Sequence, residues 1–215
     1  REAPARQRAP RLERVASAGA RVPQEIADRV ARARRGLVVC GPRLGAATGD
    51  VRLRRALARF VGERGFSLLA EVTSGVAHGA ECAEWVLPAF EAWLPRACDE
   101  GDAPDLIIEL GSPPTSGAWE RLAPELAGIP RVVVAEAGLP DPTSTATDLV
   151  TANPAELFEA LDPRGPSDSA WCQRLLSRAR QAELLLSEAL AGATLSEPFV
   201  AKSVVEALAD GDALM

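Results

Sequence analysis

Three short segments of this 215-residue chain carry residues whose types and spacing can do chemistry. The first is Gly41-x-x-x-Gly45-x-x-x-Gly49, after a short apolar run. Glycines between a strand and a helix let a phosphate approach the free N–H groups of a helix start. The spacing is neither G-x-G-x-x-G nor a P-loop, and Asp50 stands where a helix cap would, adding negative charge. Both a nucleotide-holding turn and a plain turn fit. The second segment, 74–79, contains Ser74 and His78, the only histidine. His78 can titrate near neutrality, but no partner carboxylate or nucleophile is set beside it in sequence, so a structural role fits as well as an acid–base one. The third, Gly111-Ser112-Pro113-Pro114-Thr115-Ser116-Gly117, follows a strongly apolar run. Ser112, Thr115 and Ser116, with Arg121 one helical turn on, are candidates to hold a carboxylate or phosphate. Ser116 can equally be only a helix cap.

These segments need a scaffold, and the hydrophobic pattern supplies one. Pro23 opens a helix with Ile26, Val30 and Ala33 on one side, and Gly36 is expected to close it. Strands are expected at 37–40, 67–72, 105–110, 131–134 and 148–150. Helices are expected from Asp50 to Gly65, with Leu53, Leu57, Phe60 and Val61 as the apolar stripe, then at 118–126 and from Asn153-Pro154 to about 161. Pro88 prevents an uninterrupted helix over 81–94. Short, fully apolar strands alternating with helices predict an α/β, Rossmann-like, doubly wound and mostly parallel sheet of five or six strands. All three chemical segments then fall at the carboxyl edge of that sheet, where ligands bind in such folds. The division expected is a linker over 1–22, the sheet domain over 23–165, and a helical segment over 166–215. In the last, Trp171, Leu175, Ala179, Ala182, Leu186 and Leu190 recur at helical spacing.

Composition narrows the classes. Residues 1–35 carry ten arginines against four acids, a charge of +6; the whole chain is −6, which leaves −12 for the rest. An acidic body argues against nucleic acid as the main partner. The basic arm alone would allow a nucleic-acid contact, but it reads as a solvated linker leaving a preceding domain. Lys202 is the only lysine and tyrosine is absent, a pattern that coding bias explains. Cys40, Cys82, Cys98 and Cys172 lack metal-ligand spacing, so neither zinc nor a disulfide framework is expected, and a reducing cytoplasm fits. No apolar run approaches membrane-spanning length. The chain opens on Arg1 and stops as an apolar run begins, which reads as an internal piece of a longer protein.

The runs DLIIELGSPPTSGAWERLA (105–123) and RVVVAEAGLPDPTSTATDLVTANPAEL (131–157) carry a family resemblance. With GLVVCGP (36–42) and LAEVTSG (69–75), they resemble the central domain of the 2-succinyl-5-enolpyruvyl-6-hydroxy-3-cyclohexene-1-carboxylate synthases of menaquinone biosynthesis. PDPTSTATDLV (140–150) is the most specific part. The resemblance covers roughly residues 36–215. It implies a thiamine-diphosphate-dependent transferase that decarboxylates 2-oxoglutarate and adds the product to isochorismate, with Mg²⁺ or Mn²⁺. It implies N- and C-terminal partner domains, and a homodimer or homotetramer with shared active sites. The cofactor-activating glutamate and the diphosphate motif belong to those other domains, so no cofactor and no turnover are expected of this chain alone. Gly117 stands where the family often has a substrate-binding lysine, and Arg121 is the expected substitute. An FAD-, ADP- or effector-binding role, or a purely architectural one, as the central domain of a divergent thiamine-diphosphate-dependent 2-oxo acid decarboxylase, is the alternative the resemblance allows.

Overall fold

The computed structural model describes residues 11–14 (backbone only), 22–42, 50–77, 80–138, 140–192 and 195–209. Six strands form one sheet: β1 (Arg11–Arg14), β2 (Gly36–Cys40), β3 (Ser67–Ala70), β4 (Leu106–Leu110), β5 (Arg131–Ala135) and β6 (Asp148–Thr151). Their order is β1-β6-β5-β4-β2-β3, and every pairing is parallel. The helices are α1 (Gln24–Arg32), α2 (Val51–Arg64), α3 (Phe90–Ala97), α4 (Gly117–Glu125), α5 (Pro154–Ala160), α6 (Ser169–Ala191) and α7 (Glu197–Ala207).

Side chains alternate across a strand, so the sheet has two apolar faces. Val38, Leu68, Ile108, Val132 and Val150 pack against α1, α2 and α5. On that side Phe60 meets Phe66 and Phe158 edge to face, at 5.5 and 5.1 Å between ring centres. Leu37, Val39, Leu69 and Ile107 face α3, α4 and α6, through Trp93, Leu94, Trp119, Leu122 and Trp171. The sheet is therefore doubly wound, as the apolar strand runs predicted. The helix after β2 covers one face and the helix after β4 the other. The order of winding reverses between these two neighbouring strands, which places the topological switch point of the fold there.

Several boundaries differ from expectation, each for a local reason. Arg11–Arg14 lies inside the stretch expected as linker, yet pairs with β6 as a sixth strand. Gly36 does not close α1; it begins β2, where a β-carbon would stand 2.2 Å from the Phe66 ring. The C-terminal carbonyls of α1 are satisfied instead by buried Arg64, whose Nη2 donates to Val30 O at 2.8 Å and also to Ala33 O. A charged donor reaching the end of another helix serves as its cap. The third strand stops at Ala70, and residues 72–74 turn into a 3₁₀ segment. The helix expected around Pro88 starts at Phe90, after Ala89 adopts a left-handed conformation (φ 49°). The expected caps of α2 hold: Asp50 accepts from Leu53 N at 2.9 Å, and Gly65 ends the helix at φ 66°.

The long helix α6 is anchored at one end only. Trp171, Leu175 and Ala179 are buried, and the Trp171 indole donates to Asp102 O at 2.8 Å. Leu184, Leu185 and Leu186 further along it are exposed, as are Phe199, Val200, Val204 and Val205 on α7.

Candidate functional site

The loop from β4 to α4 is held from two sides. Ser112 N donates to Pro42 O at 2.9 Å, and Gly41 N to Leu110 O at 3.1 Å. A β-carbon on Gly41 would lie 1.8 Å from Ser112 O, so only glycine permits this approach. Gly41 thus serves a backbone contact across the switch point; Gly45 and Gly49 lie outside the described residues. From the other side, Glu71, just past β3, reaches over β2. Its carboxylate accepts Thr115 N at 2.9 Å and also the Thr115 hydroxyl.

The predicted site residues therefore separate into groups. Thr115 and Ser116 sit together at the start of α4. The Ser116 hydroxyl accepts from Trp119 N at 3.4 Å and caps the helix. Arg121 is exposed and folds back along α4, with Nη1 3.5 Å from the position of a β-carbon on Gly117. Ser112 lines a separate cleft of about 220 Å³ with Pro42, Glu136, Pro140 and Pro154. In that cleft the polar groups include a carboxylate, Glu136, which accepts from Asn153 Nδ2 at 3.0 Å. Ser74 is not part of either group. It is buried, donates to Glu71 O and accepts from Val76 N at 3.1 Å, so it fixes the turn that presents Glu71. His78 lies outside the described residues.

A second cleft, of about 270 Å³, lies beside Thr115. Pro113, Trp119, Glu120, Arg131 and Thr143 contribute to its lining. Its floor adjoins a charged cluster that the sequence reading had not singled out. Arg131 is 3% exposed and pairs with Asp141. Asp141 also accepts Thr145 N at 3.3 Å and Ala146 N at 2.9 Å, which ties down the loop after β5. Glu109, on the neighbouring strand β4, is 0% exposed; among the described residues neither carboxylate oxygen has a partner at hydrogen-bond distance, and Oε2 is 3.9 Å from Arg131 Nε. Burial pushes its carboxyl up to about 7, against the opposing pull of Arg131. One signal for it was available: a glutamate interrupts the apolar run 106–110, in a strand covered on both faces.

Cys82 and Cys98 are both pushed up to about 11 by burial, which leaves them as unreactive thiols. Among the described residues, no group of three or more His, Cys, Asp or Glu side chains is placed to hold a metal ion. Nor, among them, is any helix long and apolar enough to cross a membrane.

No family model matches the chain. It is 39% identical over 202 residues to the 2-succinyl-5-enolpyruvyl-6-hydroxy-3-cyclohexene-1-carboxylate synthase of Sorangium cellulosum, an alignment covering 89% of this chain and 33% of that protein. It is 30% identical over 193 residues to the synthase of the same name from Myxococcus xanthus, covering 87% of this chain and 31% of the relative. A third, from Geobacillus kaustophilus, is 30% identical over 161 residues, covering 70% and 26%. The chain spans about a third of the length of these curated relatives. The shared sequence, carried on a parallel sheet wound on both faces, makes this chain a member of the 2-succinyl-5-enolpyruvyl-6-hydroxy-3-cyclohexene-1-carboxylate synthase family.

Proposed function

We propose that the chain is the central domain of a thiamine-diphosphate-dependent synthase. That enzyme would decarboxylate 2-oxoglutarate and add the resulting four-carbon unit to isochorismate in menaquinone biosynthesis. The observation that carries this reading is the 39% identity extending over 89% of the chain. In this reading residues 23–165 form the domain, and residues 166–215 lead toward a diphosphate-binding domain.

The described residues do not fit a metal-bridged diphosphate. Such a group needs several oxygen ligands around one cation, and no acidic cluster of that kind is present among them. Thiamine diphosphate and Mg²⁺ or Mn²⁺ would therefore be held by other domains of the enzyme, and no chemical step is assigned to this chain. Its contribution would be to bind and orient substrate. The start of α4 offers helix N–H groups, and Arg121 places a guanidinium beside them, where a substrate carboxylate would be favoured. Thr115 would act indirectly, since Glu71 already accepts from both its amide and its hydroxyl.

The apolar residues left exposed on α6 and α7 support a further contact with the remaining domains, or with a second subunit of a homodimer or homotetramer. The −12 charge of residues 36–215 speaks against nucleic acid as a partner, and the cytoplasm is the compartment proposed. The test is direct. The complete reading frame should make the synthase product from 2-oxoglutarate and isochorismate only with thiamine diphosphate and a divalent metal. This 215-residue chain should show no micromolar binding of thiamine diphosphate by calorimetry. A complete protein inactive on that substrate pair would reject the assignment.

A further inference from the structure

The Glu109–Arg131–Asp141 cluster has one more negative charge than it can balance. Among the described residues, Arg131 is the one cation acting on Glu109, and Asp141 is the other charged group. From α4, the Trp119 indole N–H is the remaining polar group that bears on Glu109 among the described residues, and it favours the ionised form, as Arg131 does. The strand neighbours in register with Glu109 are Val39 and Val133, which are apolar. Arg131 is committed to Asp141 and to Thr143 Oγ1, at 3.3 Å for the latter. Its Nε, however, is buried without a hydrogen-bond partner, as are both oxygens of Glu109. A buried donor and a buried acceptor thus face each other at 3.9 Å, about 1 Å beyond hydrogen-bond distance.

This is an arrangement with two solutions. With Glu109 protonated, Arg131 and Asp141 neutralise each other and the cluster carries no net charge. With Glu109 ionised, a buried and unpaired carboxylate is costly. The nearest relief is a shift of about 1 Å by Arg131 toward Glu109. That shift draws the guanidinium off Asp141 and Thr143. Asp141 is the residue that holds the Thr145 and Ala146 amides, so the loop after β5 is coupled to the choice. Pro142 and Thr143 of that loop form one wall of the cleft beside Thr115.

We propose that Glu109, Arg131 and Asp141 form a proton-responsive latch, in which Arg131 is contested by two carboxylates and its choice sets the wall of the cleft next to α4. The protonated state clamps the loop; loss of the proton releases it. The latch needs no ligand and belongs to this chain alone, so it stands whether or not the synthase assignment does.

The experiment is an NMR titration of the ¹⁵N-labelled chain from about pH 5.5 to about pH 8.5, with ¹³Cδ observation of its glutamates. The Thr145 and Ala146 amides should shift together with the Glu109 carboxyl, at a common midpoint near 7. In Glu109→Gln, which keeps the shape and removes the proton, those amides should be flat over the same range. In Asp141→Asn the competitor is gone, and the Glu109 midpoint should fall by about one unit or more as Arg131 turns to it. Flat amides in the unsubstituted chain would overturn the proposal. So would a titration that survives in Glu109→Gln, or amide and carboxyl midpoints separated by more than about one unit. Should Glu109→Gln fail to fold, the coincidence of the two midpoints in the unsubstituted chain decides alone.

Discussion

Arg121 lies back along α4 with its Nη1 3.5 Å from the point where a β-carbon on Gly117 would stand. The cationic group therefore lies beside the start of α4. Arg121→Ala in the complete enzyme should raise the KM for a dicarboxylate substrate about tenfold, the loss of one charge-assisted contact. It should leave the urea midpoint of this chain unchanged, because an exposed side chain adds little stability. Gly117→Lys in the Arg121→Ala background should recover part of the lost affinity. An unaltered KM in Arg121→Ala would remove Arg121 from the site.

At Gly41 the expectation is opposite in kind. The obstacle to a side chain there is the backbone carbonyl of Ser112, not a movable group. Gly41→Ala should destabilise the chain by about 3 kcal/mol or more in urea unfolding, or prevent soluble expression. Gly117→Ala meets only ordinary contact at 3.5 Å and should be neutral or stabilising by up to about 1 kcal/mol.

Glu109 gives the stability of the chain a pH dependence of definite sign. Its carboxyl is raised from 4.5 to about 7 in the folded state, so the folded chain keeps a proton that the unfolded chain releases. Its contribution to stability is lost as the pH rises between those values and stays lost above them. Glu109→Gln should accordingly be the more stable protein at about pH 8, by on the order of 1–3 kcal/mol in chemical denaturation. The gap should close below about pH 4.5, where both side chains are neutral. A difference independent of pH would mean that Glu109 is not ionising in the fold.

The anchor of α6 separates packing from charge. Trp171 is fully buried and hydrogen-bonded, so Trp171→Ala should cost about 3–5 kcal/mol. The ion pairs of Arg178 with Glu100 and Asp102, at 2.8 and 3.5 Å, are partly open to solvent. Arg178→Ala should cost less than about 1 kcal/mol in the same measurement.

Much of this architecture was legible in the amino acids. The runs at 37–40, 105–110 and 131–134 read as buried strands and give β2, β4 and β5, and Asp50, Gly65, Ser116 and Asn153 announced the helix ends they form. Local pattern failed where a distant partner decides. Gly36 read as a helix terminator because the Phe66 ring that requires it is thirty residues away. Arg11–Arg14 gave no periodicity, since four residues pairing with β6 need only a free strand edge. The same limit applied to the site. Thr115 looked free to bind a ligand until Glu71, forty-four residues earlier, was found to hold it. Glu109 was passed over as part of an apolar strand, because its meaning depends on Arg131 and Asp141, which the register of β4 and β5 brings near.

The strand Arg11–Arg14 also bears on how this polypeptide should be handled. It closes the β6 side of the sheet, and a truncated form starting at Val22 would present the backbone of β6 unpaired. An open strand edge templates intermolecular pairing. Removing residues 1–21 should therefore increase self-association, visible as a stronger light-scattering signal than that of the 215-residue chain.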